Sequence, residues 1–110
     1  MTRDEILNMP AGREMDFMVA RDVMGRNPYQ DELGVWFIDE SETEGRNMPF
    51  YSINIGGAWE VARRFTEIHM EHSERNDFVM IGDNFDTAVT CETMPLAICR
   101  AALLAVEVQC

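Results

Sequence analysis

Residues 94–106 read MPLAICRAALLAV, and Arg100 is the only charged residue among them. A helix that is apolar nearly all round has to be covered on more than one side. Thr93 is a suitable N-cap for it, and Pro95 suits its first turn. We therefore expect this helix to lie at the centre of the core or at a subunit interface, and we expect a homo-oligomer.

Residues 77–92 predict a β-hairpin, because two runs of β-forming residues flank the turn residues Gly82-Asp83-Asn84. Its strands are predicted at 78–81 and 85–91, and in the second strand one face holds Phe85, Thr87, Val89 and Cys91.

Two further helices and two extended segments are predicted upstream. One helix follows Pro10, runs from Arg13 to Val23 and stops at Gly25. The other begins near Asn54 and ends between His69 and Glu74, with its apolar residues on one face. Residues 35–38 and 50–53 are β-formers and predict short strands.

This order of elements predicts an α+β fold. We expect a single domain over residues 1–110, with a small antiparallel or mixed sheet layered between helices in an α/β/α sandwich. The composition agrees with a globular chain, since 46% of the 110 residues are hydrophobic and 26% are charged.

The net charge of −11 argues against bulk nucleic acid and anionic membrane as partners. All nine basic residues are arginine, so an anion must be held by guanidinium groups or backbone N–H groups. The charged start leads into no signal-peptide core, and the three cysteines form no C-x-x-C pair. We therefore expect a cytoplasmic protein with reduced thiols.

The segment from Tyr51 to Trp59 is the candidate ligand site. An extended lead-in enters a helix whose first turn carries Gly56 and Gly57, where bare N–H groups and the helix dipole can hold a phosphate. Ser52 or Asn54 is the expected N-cap, and Tyr51 and Trp59 could stack on a base. The alternative is that the glycines only allow the helix to pack closely.

Arg13 and Arg100 are the candidate sources of positive charge. Arg100 lies within an apolar helix, where an unpaired charge is costly, so it requires a partner. That partner is a carboxylate such as Glu14 or Asp16, a residue of another subunit, or an anionic ligand.

No catalytic residue, metal ligand or cofactor is assigned. His69 and His72 could share a helix face and bind zinc, but a polar helix end explains them better. The acidic stretch Asp39 to Gly45 lacks the spacing of an EF-hand and reads as a solvated loop. No serine or cysteine stands in a nucleophile motif.

Three segments resemble the phage ABA-sandwich domain family. They are MPAGREMD at 9–16 followed by VMG at 23–25, YSINI at 51–55 followed by AWEV at 58–61, and PLAICRAALLAV at 95–106. Arg26 stands where members usually carry tryptophan, and Gly56 and Gly57 where they often carry alanine. The resemblance implies a small phage protein with a sheet between helices, and it implies no reaction.

Three functions remain open. The first is a sponge that sequesters a nucleotide-derived immune signal of the host, of cyclic ADP-ribose or cyclic oligonucleotide type, as small oligomeric phage proteins are known to do. The second is an acidic module that binds a host protein through residues 39–44. The third and least supported is a hydrolase of the same signals, using carboxylates or the two histidines.

Overall fold

The computed structural model describes residues 2–39 and 45–108. In these two ranges it contains four α-helices and two three-stranded antiparallel sheets, which confirms the α+β class. The helices are α1 (Arg3–Asn8), α2 (Arg13–Met18), α3 (Ile55–Ala62) and α4 (Met94–Val108). The first sheet consists of β1 (Pro28–Gln30), β2 (Trp36–Asp39) and β3 (Gly45–Asn47). The second consists of β4 (Ile68–His72), β5 (Asp77–Ile81) and β6 (Val89–Cys91).

Helix α4 lies at the centre of the core. Its residues from Leu96 to Ala105 are buried, with Arg100 as the exception. It packs against α1, α3, β5 and β6. The helix was predicted to lie at the centre of the core or at a subunit interface. The structure places it at the centre of the core, where elements of the same chain cover it.

The N-terminal helices begin and end at recognisable signals. Helix α1 has a capping box between Thr2 and Glu5, which the sequence analysis did not identify. Helix α2 continues as a π-helix over Val19–Val23, so the predicted stretch from Arg13 to Val23 is helical throughout. Gly25 has a φ of 65° and ends it as expected.

Two predictions between residues 50 and 74 are wrong. Residues 51–53 form a turn rather than a strand, because the carbonyl of Phe50 accepts from the N–H groups of Ile53 and Asn54 at 3.2 and 2.8 Å. Helix α3 ends at Ala62, well before His69, and β4 occupies the end of the predicted helix.

The hairpin of the second sheet is also placed differently. The tight hairpin joins β4 to β5, with Ile68 opposite Ile81 and His72 opposite Asp77. The predicted strand 85–91 is only β6, because residues 85–87 form a 3₁₀ turn. Thr87, Val89 and Cys91 are buried, but Phe85, which was predicted to share their face, is 80% exposed. None of the described helices is both long and apolar enough to span a bilayer.

Candidate ligand-binding site

The start of α3 already has partners for its first N–H groups. Asn54 is the N-cap, and its side-chain oxygen accepts from the N–H groups of Gly56 at 2.8 Å and Gly57 at 3.2 Å. These are the groups from which the sequence predicted a phosphate cradle. An anion at this helix start would have to displace the Asn54 side chain.

Gly57 allows two backbone segments to approach closely. A Cβ atom there would lie 3.2 Å from the carbonyl carbon and oxygen of Phe50 and 3.3 Å from Cα of Tyr51. Those neighbours are main-chain atoms, which move only with their whole segment. Gly57 is therefore a glycine that allows close packing, as the alternative interpretation of the sequence predicted, while Gly56 is exposed.

The two aromatic residues of the predicted site differ in access to solvent. Tyr51 has no exposed surface, and its hydroxyl has no hydrogen-bond partner among the described residues. Burial raises the pKa of Tyr51 to about 12, with a smaller contribution from the negative charge of Glu60 that the positive charge of Arg46 opposes. Trp59 is 51% exposed, so it is the aromatic ring of this pair that a ligand could reach.

Arg13 and Ser52 meet at the buried carboxylate of Asp16. Ser52 approaches Oδ1 of Asp16 with its N–H at 2.8 Å and its hydroxyl at 2.7 Å, and Arg13 donates to Oδ2 at 2.9 Å. Arg13 also donates to the carbonyls of Met48 and Pro49, and its guanidinium lies 4.0 Å from the centre of the Phe50 ring. These two predicted site residues therefore hold α2 to the segment before α3.

Arg100 lies apart from this group and borders a cavity of about 490 Å³. Its Nη2 donates to the carbonyl of Met9 at 2.8 Å, and its Nη1 contacts the Cys91 sulfur at 3.4 Å. Its buried Nε has no partner among the described residues. Neither Glu14 nor Asp16 pairs with Arg100, because the latter carboxylate is held by Arg13 and Ser52.

The remaining walls of this cavity offer small polar groups. They come from the end of α1, the β4–β5 turn, β6 and the segment between β6 and α4, and they include Asn8, Asn76, Thr90, Glu92 and Thr93. Thr93 caps α4 through its hydroxyl, which accepts from the Leu96 N–H at 3.4 Å. The sequence signal for this cavity was the charge of Arg100 in an apolar helix. The other residues are distant in the chain and carry no common motif.

The thiol in this cavity is held in its neutral form. Burial raises the pKa of Cys91, and the nearby Arg100 only partly opposes that effect. Because the thiolate is the reactive species, this environment lowers the nucleophilicity of Cys91.

The other sequence candidates fall elsewhere. His69 and His72 lie on β4, where residues three apart point to opposite faces, so they do not share a site. His72 Nδ1 hydrogen-bonds the Asp77 carboxylate across the hairpin. Of the acidic stretch, Asp39 ends β2 and accepts from Asn27 at 3.2 Å. Residues 40–44 lie outside the described residues.

Comparison with known proteins gives a family and a structural neighbour. The family model of the phage ABA sandwich domain matches residues 17–103. A 2.0 Å crystal structure of a phage protein from Bacillus cereus ATCC 14579 superposes with a TM-score of 0.69 and 23% sequence identity. The match covers 89% of this chain and 94% of that one, and at this identity it shows a shared fold. No curated protein matches the chain significantly.

Proposed function

Because the chain belongs to the phage ABA sandwich domain family, we propose that it is a phage protein that works by binding. Its ligand is a small nucleotide-derived immune signal of the infected host, of cyclic ADP-ribose or cyclic oligonucleotide type. The protein acts in the host cytoplasm by sequestering this signal unchanged. Neither the family nor the structural neighbour carries a reaction to transfer, so the proposal depends on the site.

The Arg100 cavity is the observation that carries the proposal. Its volume of about 490 Å³ lies in the range of pockets that enclose small ligands. The buried Nε of Arg100 has no partner among residues 2–39 and 45–108, and leaving such a donor unpaired is costly. Phosphate and carboxylate oxygens are the acceptors with which a guanidinium forms its strongest hydrogen bonds, and a nucleotide supplies the first. The Arg100 guanidinium would therefore bind phosphate while its Nη2 atom keeps the hydrogen bond to the Met9 carbonyl.

Because the protein is strongly acidic, this anion can bind only where contacts within the cavity outweigh the repulsion by the whole molecule. The net charge of −11 repels phosphate at long range, and Glu92 lies at the cavity wall. Affinity must then come from enclosure, from Arg100, and from the donors of Thr90, Thr93 and Asn76. We expect selectivity for a compact ligand with few phosphates over nucleic acid, whose repulsion grows with its length.

Native mass spectrometry of the protein with cyclic ADP-ribose isomers and cyclic di- and trinucleotides tests the proposal. We expect one member to bind and to be released intact on denaturation. A cleaved product would replace the proposal with the hydrolase alternative. Failure of every member to bind would contradict the proposed ligand class.

Two substitutions locate the ligand. Thr90 is an exposed residue of β6 that lines the cavity, so Thr90→Trp fills it without disturbing the core. Met70→Trp is the matched control, because β4 is the opposite edge of the same sheet and Met70 is 37% exposed. We expect Thr90→Trp to weaken binding by about tenfold or more and Met70→Trp to leave it unchanged. Equal affinity of the two variants would place the ligand elsewhere.

A protein-interaction module is the second candidate, and one feature favours it. Phe50, Ile53, Ile55 and Trp59 are each more than half exposed within residues 50–59. Apolar side chains grouped in this way mark contact surfaces. A second copy of the chain is one partner for this surface, which keeps the homo-oligomer as a prediction. Light scattering of wild type and Trp59→Asp tests it, and an unchanged mass for the variant would contradict it.

A further inference from the structure

Three exposed side chains converge where β4 begins and β5 ends. Donor atoms of Glu67, His69 and Asp83 all lie within 4.8 Å of one another. The Nε2 atom of His69 is 3.3 Å from a carboxylate oxygen of Glu67. This cluster is separate from the Arg100 cavity, and it uses only one of the two histidines that the sequence analysis considered together.

The main chain sets this arrangement. Glu67 immediately precedes β4 in extended backbone and His69 is the second residue of the strand, so their side chains are on the same face. The N–H of Gly82 donates to the Glu67 carbonyl at 2.9 Å and extends the β4–β5 pairing by one step. Gly82 has a φ of 59°, which turns the chain back and brings Asp83 beside the other two.

In the described part of the chain, no arginine forms an ion pair with the cluster. Among residues 2–39 and 45–108, the ion-pair partner of Glu67 is His69, and Asp83 has none. Two carboxylates this close repel each other, and a protein of net charge −11 adds to that repulsion. A bound cation would relieve it. The charge of the cluster therefore favours a cation, as its donor geometry does.

We propose that Glu67, His69 and Asp83 form a binding site for a divalent transition-metal ion. One imidazole nitrogen and two carboxylate oxygens are the donor set of zinc and its neighbours, whereas magnesium and calcium prefer oxygen alone. The side chains are exposed, so small rotations bring their donors to the bonding distance of about 2.0–2.2 Å. Water fills the remaining positions. The ion joins β4 to the turn after β5.

Calorimetric titration of tag-free, reduced protein with zinc chloride tests the site. We expect one zinc ion to bind, and His69→Ala to weaken its binding by at least about tenfold. His72→Ala is the matched control, because His72 is on the same strand but faces the other way. Its affinity should equal that of the wild type. Equal affinity of the wild type and His69→Ala, or no binding at about millimolar zinc, would overturn the proposal.

Two further measurements separate this site from binding by thiols. The double variant Glu67→Gln with Asp83→Asn should lose zinc while keeping every cysteine. Cobalt should give visible absorption that lacks thiolate charge-transfer bands and disappears in His69→Ala. Zinc should raise the melting temperature of the wild type but not that of His69→Ala. Retention of zinc by the double variant would contradict the site, whatever the outcome for nucleotide binding.

Discussion

At the scale of single residues, Asp16 is a buried charge whose partners come from two parts of the chain. Its carboxylate has no exposed surface and binds Arg13 from its own helix and Ser52 from the segment before α3. The sequence analysis named Asp16 only as a partner for Arg100. The observed partners show that Asp16 has a structural role, in which it fixes the position of the α3 start.

Asp16→Ala should destabilise the protein by about 3–5 kcal/mol, because it leaves the buried Ser52 N–H without its acceptor and the Arg13 guanidinium without its carboxylate partner. Asp22→Ala is the control, since Asp22 pairs with Arg21 at the surface at 2.8 Å. We expect that change to cost less than about 1 kcal/mol. Urea unfolding of the two variants measures the difference. A loss for Asp16→Ala as small as that for Asp22→Ala would contradict the structural role.

Tyr51→Phe should be neutral or stabilising by about 1 kcal/mol at pH 7. The hydroxyl that it removes is buried and has no partner in the described part of the chain. Thermal denaturation of both proteins at pH 7 gives the comparison. Destabilisation by the substitution would show that the hydroxyl has a partner, such as a buried water molecule.

The same residue predicts a pH dependence. The pKa of Tyr51 is about 12 in the folded protein and about 10 in the unfolded chain. The unfolded chain therefore loses this proton first, and stability falls as the pH rises from 10 to 12. Below pH 10 the contribution is fully present. Tyr51→Phe should lose less stability than the wild type across this interval, and parallel losses would contradict the assignment.

At the scale of elements, the α3 start depends on how closely it lies against residues 50–51. Gly57→Ala should destabilise the protein by about 1 kcal/mol or more, because overpacking against backbone outweighs the gain in helix propensity. Gly56→Ala meets only the Asn54 side-chain oxygen at 3.0 Å and should be nearly neutral. Denaturant unfolding decides the order, and a larger loss for Gly56→Ala would contradict this packing.

At the scale of elements too, the sequence predicted correctly those elements whose apolar residues follow a clear pattern. Helix α4 has an unbroken apolar run, and β5 has β-forming residues. Strand β4 has no such signal, because all its residues except Ile68 are exposed. Its sequence therefore read as the polar end of a helix. Residues 50–53 gave the opposite error, since their β-formers are used in a turn that buries Tyr51.

At the scale of the whole molecule, the net negative charge is large for a protein of 110 residues. A net charge of −11 is confined to a body with a radius of gyration of 13.6 Å, so the folded state repels itself. Sodium chloride at 0.3 M should raise the melting temperature by a few degrees relative to 0.02 M, because the Debye length falls from about 20 Å to about 6 Å. An uncharged osmolyte at equal osmolality is the control. A fall with salt would show that attractive ion pairs dominate.

The candidate site is a property of the assembled molecule, which limits what the sequence predicts about it. Arg100 was identifiable because a charge in an apolar helix needs a partner. The residues that share its cavity come from α1 and the segment after it, the β4–β5 turn, β6 and α4, and only the packed fold brings them together. Conversely, the segment from Tyr51 to Trp59 had a local pattern that suggested a site. In the structure its first N–H groups donate to the Asn54 side chain, and the Tyr51 ring is buried.

The central position of α4 also bears on how the protein is made. Residues 94–108 come after every element that packs against them, so a ribosome releases α1, α3, β5 and β6 before their common partner exists. Domains fold as units, and this one lacks its core until α4 has emerged. Folding is therefore completed after synthesis of these residues. Until then the nascent chain exposes apolar surface to the chaperones and proteases of the cell.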